Sequence, residues 1–172
     1  MDDALARWRR DKDQALKVPG QSPLTDAQLE TFQGLRYFSE QATLHFIVTI
    51  EPYDERVLVT MQTSAGQPAR YERFGRVRFP IDGEEQSLTA YRDPERGGWF
   101  LPFRDATSGQ ETYGAGRYVE LEAEKTDRYI LDFNYAYNPF CAYNAQWVCP
   151  IPPDENRLAV PVRAGELAFE TS

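Results

Sequence analysis

Two segments of the chain concentrate the side chains that could do chemistry, residues 103–118 and residues 131–144. Both are rich in Asn, Tyr, Thr, Asp and Gly, which hold ordered loops through hydrogen bonds between side chain and backbone. Ordered loops on a sheet are also where binding residues concentrate. Together with an acid near the C-terminus, these segments supply the predicted ligand-binding residues, which are Asp105, Thr107, Thr112, Tyr113, Arg117, Asp132, Asn134, Tyr137, Asn138, Cys141, Tyr143 and Glu166.

Arg117 is the central residue of this prediction. The alternation of side chains predicts a strand over residues 113–121, in which Arg117 points inward with the apolar residues. A buried guanidinium needs a carboxylate or a bound anion, because an unpaired buried charge is costly. Asp132, on the strand predicted next along the chain, is the favoured partner, and Asp105 and Glu166 are the alternatives.

These residues allow three interpretations of function. The favoured one is a pocket at one end of the β body, in which Arg117 faces a small polar or anionic molecule. The second is a hydrolase-type enzyme that uses a carboxylate or Cys141 in the same pocket, although no Gly-x-Ser-x-Gly motif is present. The third is a purely structural or interaction domain, with Arg117 in an ion pair that closes one end of the body.

Metal and cofactor chemistry is not expected. Cys141 and Cys149 are eight positions apart and His45 is the single histidine, so a zinc site lacks ligands. We expect free thiols, and we interpret His45, on the polar face of its strand, as a surface or hydrogen-bonded histidine rather than a catalyst. The Gly114-Ala115-Gly116 sequence opens onto a predicted strand rather than a helix, so it does not indicate a dinucleotide site.

Charge and hydropathy exclude further classes of protein. The 172 residues carry a formal net charge of −8, which argues against a nucleic-acid partner, and no apolar run is long enough to span a membrane. The N-terminal residues place acids before bases and contain no apolar run typical of a secretory signal, which predicts a cytoplasmic location. The sequence does not predict an oligomeric state.

The periodicity of the chain predicts a mainly β fold. Residues 2–17 form an amphipathic pattern with Leu5, Trp8 and Leu16 in one stripe, and a second short helix should begin at the N-cap Thr25. After residue 37 the period changes to two, and Asp82-Gly83 is a strong hairpin signal. We therefore predict a single domain over residues 1–172, an antiparallel β-barrel or sandwich of about eight or nine strands. Its helical arm, residues 1–36, should pack on the β body, residues 37–172.

A series of short motifs over most of the chain matches a known family. These motifs are Gly34-Leu35-Arg36-Tyr37-Phe38, Phe103, Asp105, Thr107, Gly109, Thr112-Tyr113, Gly116-Arg117, Asp132-Phe133-Asn134, Ala136-Tyr137-Asn138-Pro139, Cys141-Ala142-Tyr143, Cys149-Pro150, Pro152-Pro153, Asn156-Arg157-Leu158 and Ala164-Gly165-Glu166. Through them the chain resembles domain-of-unknown-function family 1684, which is bacterial and archaeal. The resemblance implies a stand-alone soluble domain, exported in some relatives, with no established activity. It supplies no catalytic residue and no cofactor.

Overall fold

A computed structural model describes residues 3–169 of the chain. Two helices come first, α1 (Asp3–Leu16) and α2 (Asp26–Thr31). The strands are β1 (His45–Val48), β2 (Glu51–Met61), β3 (Ala69–Ile81), β4 (Glu84–Arg92), β5 (Trp99–Phe103), β6 (Arg117–Val119), β7 (Glu122–Lys125) and β8 (Arg128–Asp132). Short 3-10 turns lie at Ala42–Leu44, Phe133–Tyr135, Phe140–Ala142 and Asp154–Asn156.

The strands form two antiparallel sheets. One has five strands in the order β2-β3-β4-β5-β6, and the other has three in the order β1-β8-β7. The hairpin between β3 and β4 turns at Asp82 and Gly83, whose φ angles of 51° and 80° are those of a type I′ turn. The prediction of a mainly β, antiparallel fold with two N-terminal helices is therefore confirmed.

The two helices follow from local sequence. Leu5 and Leu16 are the buried positions of the amphipathic pattern in α1. Thr25 caps α2 in a capping box with Gln28, so that each side chain accepts a hydrogen bond from the other residue's backbone N–H. The first helix was predicted from residue 2, which lies outside the described residues.

Phe133 joins the two sheets through the core. Its ring lies 5.3 Å from the rings of both Phe79 and Phe103, centroid to centroid, and 6.2 Å from the ring of Phe46. These partners come from β3, β5 and β1, so one buried side chain contacts both sheets. Burial of such aromatic rings is a major contribution to the stability of a core.

The C-terminal stretch packs against the sheets without forming strands. Apolar residues over 158–163 and 167–169 favour two further strands by their pattern, but neither segment forms one. The strand predicted over residues 113–121 contains only β6. The physical reason is that backbone groups of the C-terminal stretch bond to several separate segments instead of along one strand. The N–H of Leu158 donates to the carbonyl oxygen of Arg104, for example, and that of Glu166 donates to the carbonyl oxygen of Ala136. The side chain of Asn156 also anchors this stretch, because its Nδ2 donates to the carbonyl oxygens of Thr89 and Pro102, at 2.9 and 2.8 Å, where β4 and β5 diverge.

No helix within residues 3–169 is long and apolar enough to cross a lipid bilayer.

A candidate binding groove and the buried network beside it

A groove of about 680 Å³ opens between α1 and the three-stranded sheet. Its volume falls within the range of roughly 300–1,000 Å³ that is common for small-molecule sites. Its walls are formed by Trp8, Lys12, His45, Glu120, Glu122, Ile130, Asp132, Tyr135, Tyr137 and Phe140. Helix α1, the start of β1, the β7 and β8 strands and the loop after β8 therefore meet at this groove.

Aromatic rings make up much of the groove wall. The ring of Trp8 meets the edge of Tyr135, with 5.0 Å between their centroids. Tyr137 is half-buried, and Phe140 keeps 45% of its surface exposed. Such a wall offers flat apolar surfaces to a ligand.

Lys12 links the groove to a buried carboxylate behind it. The Lys12 Nζ donates to Glu166 Oε2 at 2.8 Å, and Glu166 is only 1% exposed. The same carboxylate accepts hydrogen bonds from the Tyr143 hydroxyl and from Asn138 Nδ2. Burial, and then the charge of Glu166, raise the pKa of Tyr143, which keeps this hydroxyl protonated as a donor. The positive charge of the Lys12 ammonium is thus balanced by the negative charge of the Glu166 carboxylate.

His45 and Asp132 form a side-chain pair at the groove. They are opposite each other in the β1–β8 register, and His45 Nδ1 lies 3.1 Å from Asp132 Oδ2. The other oxygen of Asp132 accepts from the backbone and side-chain nitrogens of Asn134, at 2.9 and 2.8 Å. Within the described part of the chain, His45 Nε2 has no hydrogen-bond partner. A histidine oriented in this way can exchange a proton or a hydrogen bond with a ligand.

The acids on the other side of the groove are less constrained. The Tyr137 hydroxyl donates to Glu120 Oε1 at 2.5 Å, and burial followed by this hydrogen bond raises the pKa of Tyr137. Glu122, on β7, is exposed. Within residues 3–169 its carboxylate has no hydrogen bond or ion pair, so it is available to a ligand.

Arg117 lies outside the groove, in the interior. It is 1% exposed, and its guanidinium donates to the carbonyl oxygens of Ala164, Val162 and Glu166 at 2.6, 2.9 and 3.3 Å. Burial lowers its pKa, while the nearby Asp105 carboxylate opposes that change. Arg117 therefore ties the C-terminal stretch to β6.

Asp105 is the carboxylate partner of Arg117. Its Oδ1 lies 3.5 Å from Arg117 Nη2, and it also accepts from the Thr107 hydroxyl and from the backbone N–H of Val162, at 2.9 and 2.6 Å. Thr107 in turn bonds to the hydroxyl of Thr112 at 2.9 Å. These contacts satisfy the buried carboxylate with a charge and several donors.

The favoured pairing of Arg117 with Asp132 is wrong, and the alternative with Asp105 is right. Asp132 lies on β8, in the three-stranded sheet, whereas Arg117 lies on β6, in the five-stranded sheet. Because β6 and β8 are not neighbouring strands, Asp132 pairs with His45 instead of Arg117.

Two glycines allow the close backbone approach that this network needs. A Cβ on Gly116 would lie 2.6 Å from the carbonyl oxygen of Phe103, and one on Gly165 would lie 2.7 Å from that of Ala136. Both have positive φ angles, 105° and 79°. Arg117, which follows Gly116, can therefore donate to the carbonyl oxygens of Ala164 and Glu166, which flank Gly165.

The two cysteines form a further contact near the groove. Both are free thiols, and the backbone N–H of Cys141 donates to Cys149 Sγ at 3.4 Å. The Tyr113 hydroxyl lies 3.6 Å from Cys141 Sγ, and burial with this contact raises the pKa of Tyr113 to about 12. Burial also raises the pKa of the Cys149 thiol.

The predicted site residues thus divide between several places. Asp132 and Tyr137 line the groove. The buried network consists of Asp105, Thr107, Thr112 and Arg117. Glu166 bonds to Lys12 and accepts hydrogen bonds from Asn138 and Tyr143. Asn134 donates to Asp132, and Tyr113 contacts Cys141. The sequence did not point to seven of the lining residues, which are Trp8, Lys12, Glu120, Glu122, Ile130, Tyr135 and Phe140. His45 is exposed, as predicted, and it also lines the groove.

One signal in the sequence could have identified the helical wall. Trp8 and Lys12 are four residues apart, which places them on the same face of a helix. Trp8 was instead assigned to the apolar stripe with Leu5 and Leu16. Within residues 3–169, no group of three or more His, Cys, Asp or Glu side chains could hold a metal ion.

Comparison with known proteins places the chain in a family. The model of the family described as "Protein of unknown function (DUF1684)" matches residues 30–167. The chain belongs to domain-of-unknown-function family 1684. A search of curated proteins finds no match.

A solved structure supports the assignment to family 1684. The chain is similar to an uncharacterised protein of Haloarcula marismortui whose solution NMR structure is known. The two are 38% identical over 95% of this chain and 91% of that chain, with a TM-score of 0.72. The range matched by the family model contains the whole Arg117 network and every groove residue except Trp8 and Lys12.

Proposed function

We propose that this family 1684 protein binds a small polar organic molecule in the groove between α1 and the three-stranded sheet. The observation that carries the proposal is the combination of aromatic walls with polar groups held in place from behind. His45 is oriented by Asp132, and Glu120 is held by Tyr137. Preorganised polar groups in a largely apolar cavity are what a small-molecule site requires.

The buried network supports this site without contacting the ligand in our proposal. Arg117 and Asp105 are both sealed from solvent, at 1% and 3% exposure. Arg117 bonds to the carbonyl oxygen of Glu166, whose side chain holds Lys12 in the groove wall. The network therefore fixes the segment that carries Glu166, and with it one wall of the groove.

We expect fragment screening by protein NMR to show binding at the groove. The fragments that bind should shift the signals of the Trp8 indole and of backbone amides near His45. Trp8→Ala should weaken their binding about tenfold or more, because an aromatic wall is lost. Leu58→Ala is the control, since Leu58 is an exposed apolar residue of β2 outside the groove walls and its truncation should leave binding unchanged.

A second variant keeps the test informative if Trp8→Ala disrupts the structure of α1. Tyr137→Phe keeps the ring but removes the hydrogen bond to Glu120. It should weaken the binding of the same fragments while the circular dichroism spectrum is unchanged. Fragments that bind elsewhere, or that are indifferent to both variants, would contradict the proposal.

The His45–Asp132 pair favours hydrolysis as a second candidate function. With Asp132 accepting from Nδ1, Nε2 of His45 could take a proton from water that attacks a bound ester or amide. Cys141 is not among the residues that line the groove, whereas His45 and Asp132 are, so the thiol version of the enzyme hypothesis fits this site less well than general-base catalysis by this pair.

Thiol reactivity tests the thiol version directly. Because burial raises the pKa of Cys149, less of its thiolate is present at neutral pH than in an unfolded chain. We expect Cys149 in the native protein to react with iodoacetamide more slowly than in the urea-unfolded protein. Both cysteines lie on the tryptic peptide of residues 129–157, so fragmentation of that peptide in the mass spectrometer assigns the label to Cys141 or Cys149. If Cys141 reacts faster in the native protein than in the unfolded protein, that result would instead support Cys141 as a nucleophile.

A further inference from the structure

We propose that the ligand of the groove is a small organic cation with a flat apolar part, such as an arylalkyl amine in its ammonium form. This inference rests on the proposed function, since it names the chemical class that the same groove would take. It differs from the sequence-based expectation of a polar or anionic molecule, which depended on Arg117 facing the ligand.

The charges that line the groove are mainly negative. Glu120, Glu122 and Asp132 contribute carboxylates, and Lys12 contributes the one ammonium among the lining residues. Lys12 is paired with the buried Glu166 at 2.8 Å, so its charge is already compensated from behind. His45 adds positive charge only when it is protonated. An anion entering the groove would therefore meet uncompensated carboxylates, whereas a cation would be attracted.

The aromatic wall already holds one cation. The Lys12 Nζ lies 5.5 Å from the centroid of the Trp8 ring and 5.2 Å from that of Tyr137. Both distances are within the range of about 6 Å in which an ammonium is attracted by the face of an aromatic ring. The rings thus already attract the Lys12 ammonium, and the neighbouring carboxylates supply the negative charge that a second cation needs.

The acceptors for such a cation can be named. Glu120 uses Oε1 for the Tyr137 hydroxyl, which leaves Oε2. Both oxygens of Asp132 are already used, by His45 and by Asn134. Glu122 is the carboxylate at the groove with no partner in the described part of the chain. Glu122, with Glu120 beside it, should therefore contact the ammonium group of the ligand.

The test compares three probes that share a ring and differ in charge. Benzylamine is cationic at neutral pH, benzyl alcohol is neutral and benzoate is anionic. Each is titrated into the full chain at low ionic strength while the NMR signals of Trp8 and of the amides near His45 and Glu122 are followed. We expect benzylamine to bind about tenfold more tightly than benzyl alcohol, and benzoate to bind most weakly.

One substitution assigns the effect to a named carboxylate. Glu122→Gln should reduce the affinity for benzylamine severalfold and leave that for benzyl alcohol unchanged. Glu84→Gln is the matched control, because it removes the same charge from an exposed residue of β4 outside the groove walls. It should change neither affinity.

The outcomes separate the two proposals. If benzyl alcohol or benzoate binds the groove as tightly as benzylamine, the inference about charge is overturned while the groove remains a small-molecule site. If none of the three probes shifts the groove signals, both proposals are contradicted. If Glu84→Gln weakens benzylamine as much as Glu122→Gln does, the preference reflects the net charge of the protein, and the assignment to the groove is overturned.

Discussion

Replacing Arg117 with Leu should lower the free energy of unfolding by about 3–5 kcal/mol, the usual cost of leaving a buried charge without its partner. The Asp105 carboxylate would stay in the interior with only neutral donors, the hydroxyls of Thr107 and Ser108 and the Val162 N–H. The carbonyl oxygens of Ala164 and Glu166 would also lose a donor. Urea denaturation followed by circular dichroism measures the loss.

Arg163→Leu is the control for this experiment. Arg163 lies on the same C-terminal stretch and pairs with Glu111 at 3.1 Å, but 59% of its side chain is exposed. An exposed ion pair contributes about 1 kcal/mol or less, so Arg163→Leu should hardly change the free energy of unfolding. A loss for Arg117→Leu that is no larger than that of the control would contradict the prediction.

Two further variants keep the test informative if Arg117→Leu does not fold. Arg117→Lys keeps the charge but has one ammonium in place of a planar group that reaches three carbonyls, so its loss should be intermediate. Adding Asp105→Asn to Arg117→Leu should recover part of the stability, because the unpaired charge is gone. A double variant less stable than Arg117→Leu would show that the charge of Asp105 is not the source of the loss.

The inward orientation of Arg117 could be predicted from the sequence, but its partner could not. Alternating apolar residues around Arg117 indicated the interior, and the side chain is indeed buried. The strand is shorter than predicted, and all three of its residues are buried, so strict alternation does not hold there. The choice between Asp105 and Asp132 depends on which strands are neighbours, which is a property of the whole fold rather than of local spacing.

The groove was hidden from sequence reasoning for a related reason. His45 and Asp132 are 87 positions apart and meet only because β1 pairs with β8 in one particular register. Trp8 and Lys12 reach the groove because α1 packs beside that sheet. Local features were accessible, by contrast: the Thr25 cap and the hairpin turn at Asp82 each depend on a few adjacent residues.

Buried tyrosines should make the protein unfold in alkali. Burial raises the pKa of Tyr91, Tyr118 and Tyr143, whose hydroxyls donate to Glu155, to the carbonyl of Pro150 and to Glu166. In the unfolded chain these phenols lose their protons at about pH 10. Above that pH the unfolded state therefore binds fewer protons than the native state, and the free energy of unfolding falls as pH rises. Below about pH 10 both states keep these protons, so the three groups contribute no pH dependence there.

Urea titrations between about pH 8 and pH 11.5 measure this dependence, which should be steep only above about pH 10. Each fully buried tyrosine adds at most about 1.4 kcal/mol per pH unit to the slope. The absorbance of tyrosinate should rise together with the loss of the circular dichroism signal, because these phenols ionise when the chain unfolds. Tyr118→Phe should make the slope above pH 10 shallower, since one linked proton is removed. Ionisation of all the tyrosines at about pH 10 in a chain that keeps its native spectrum would contradict the prediction.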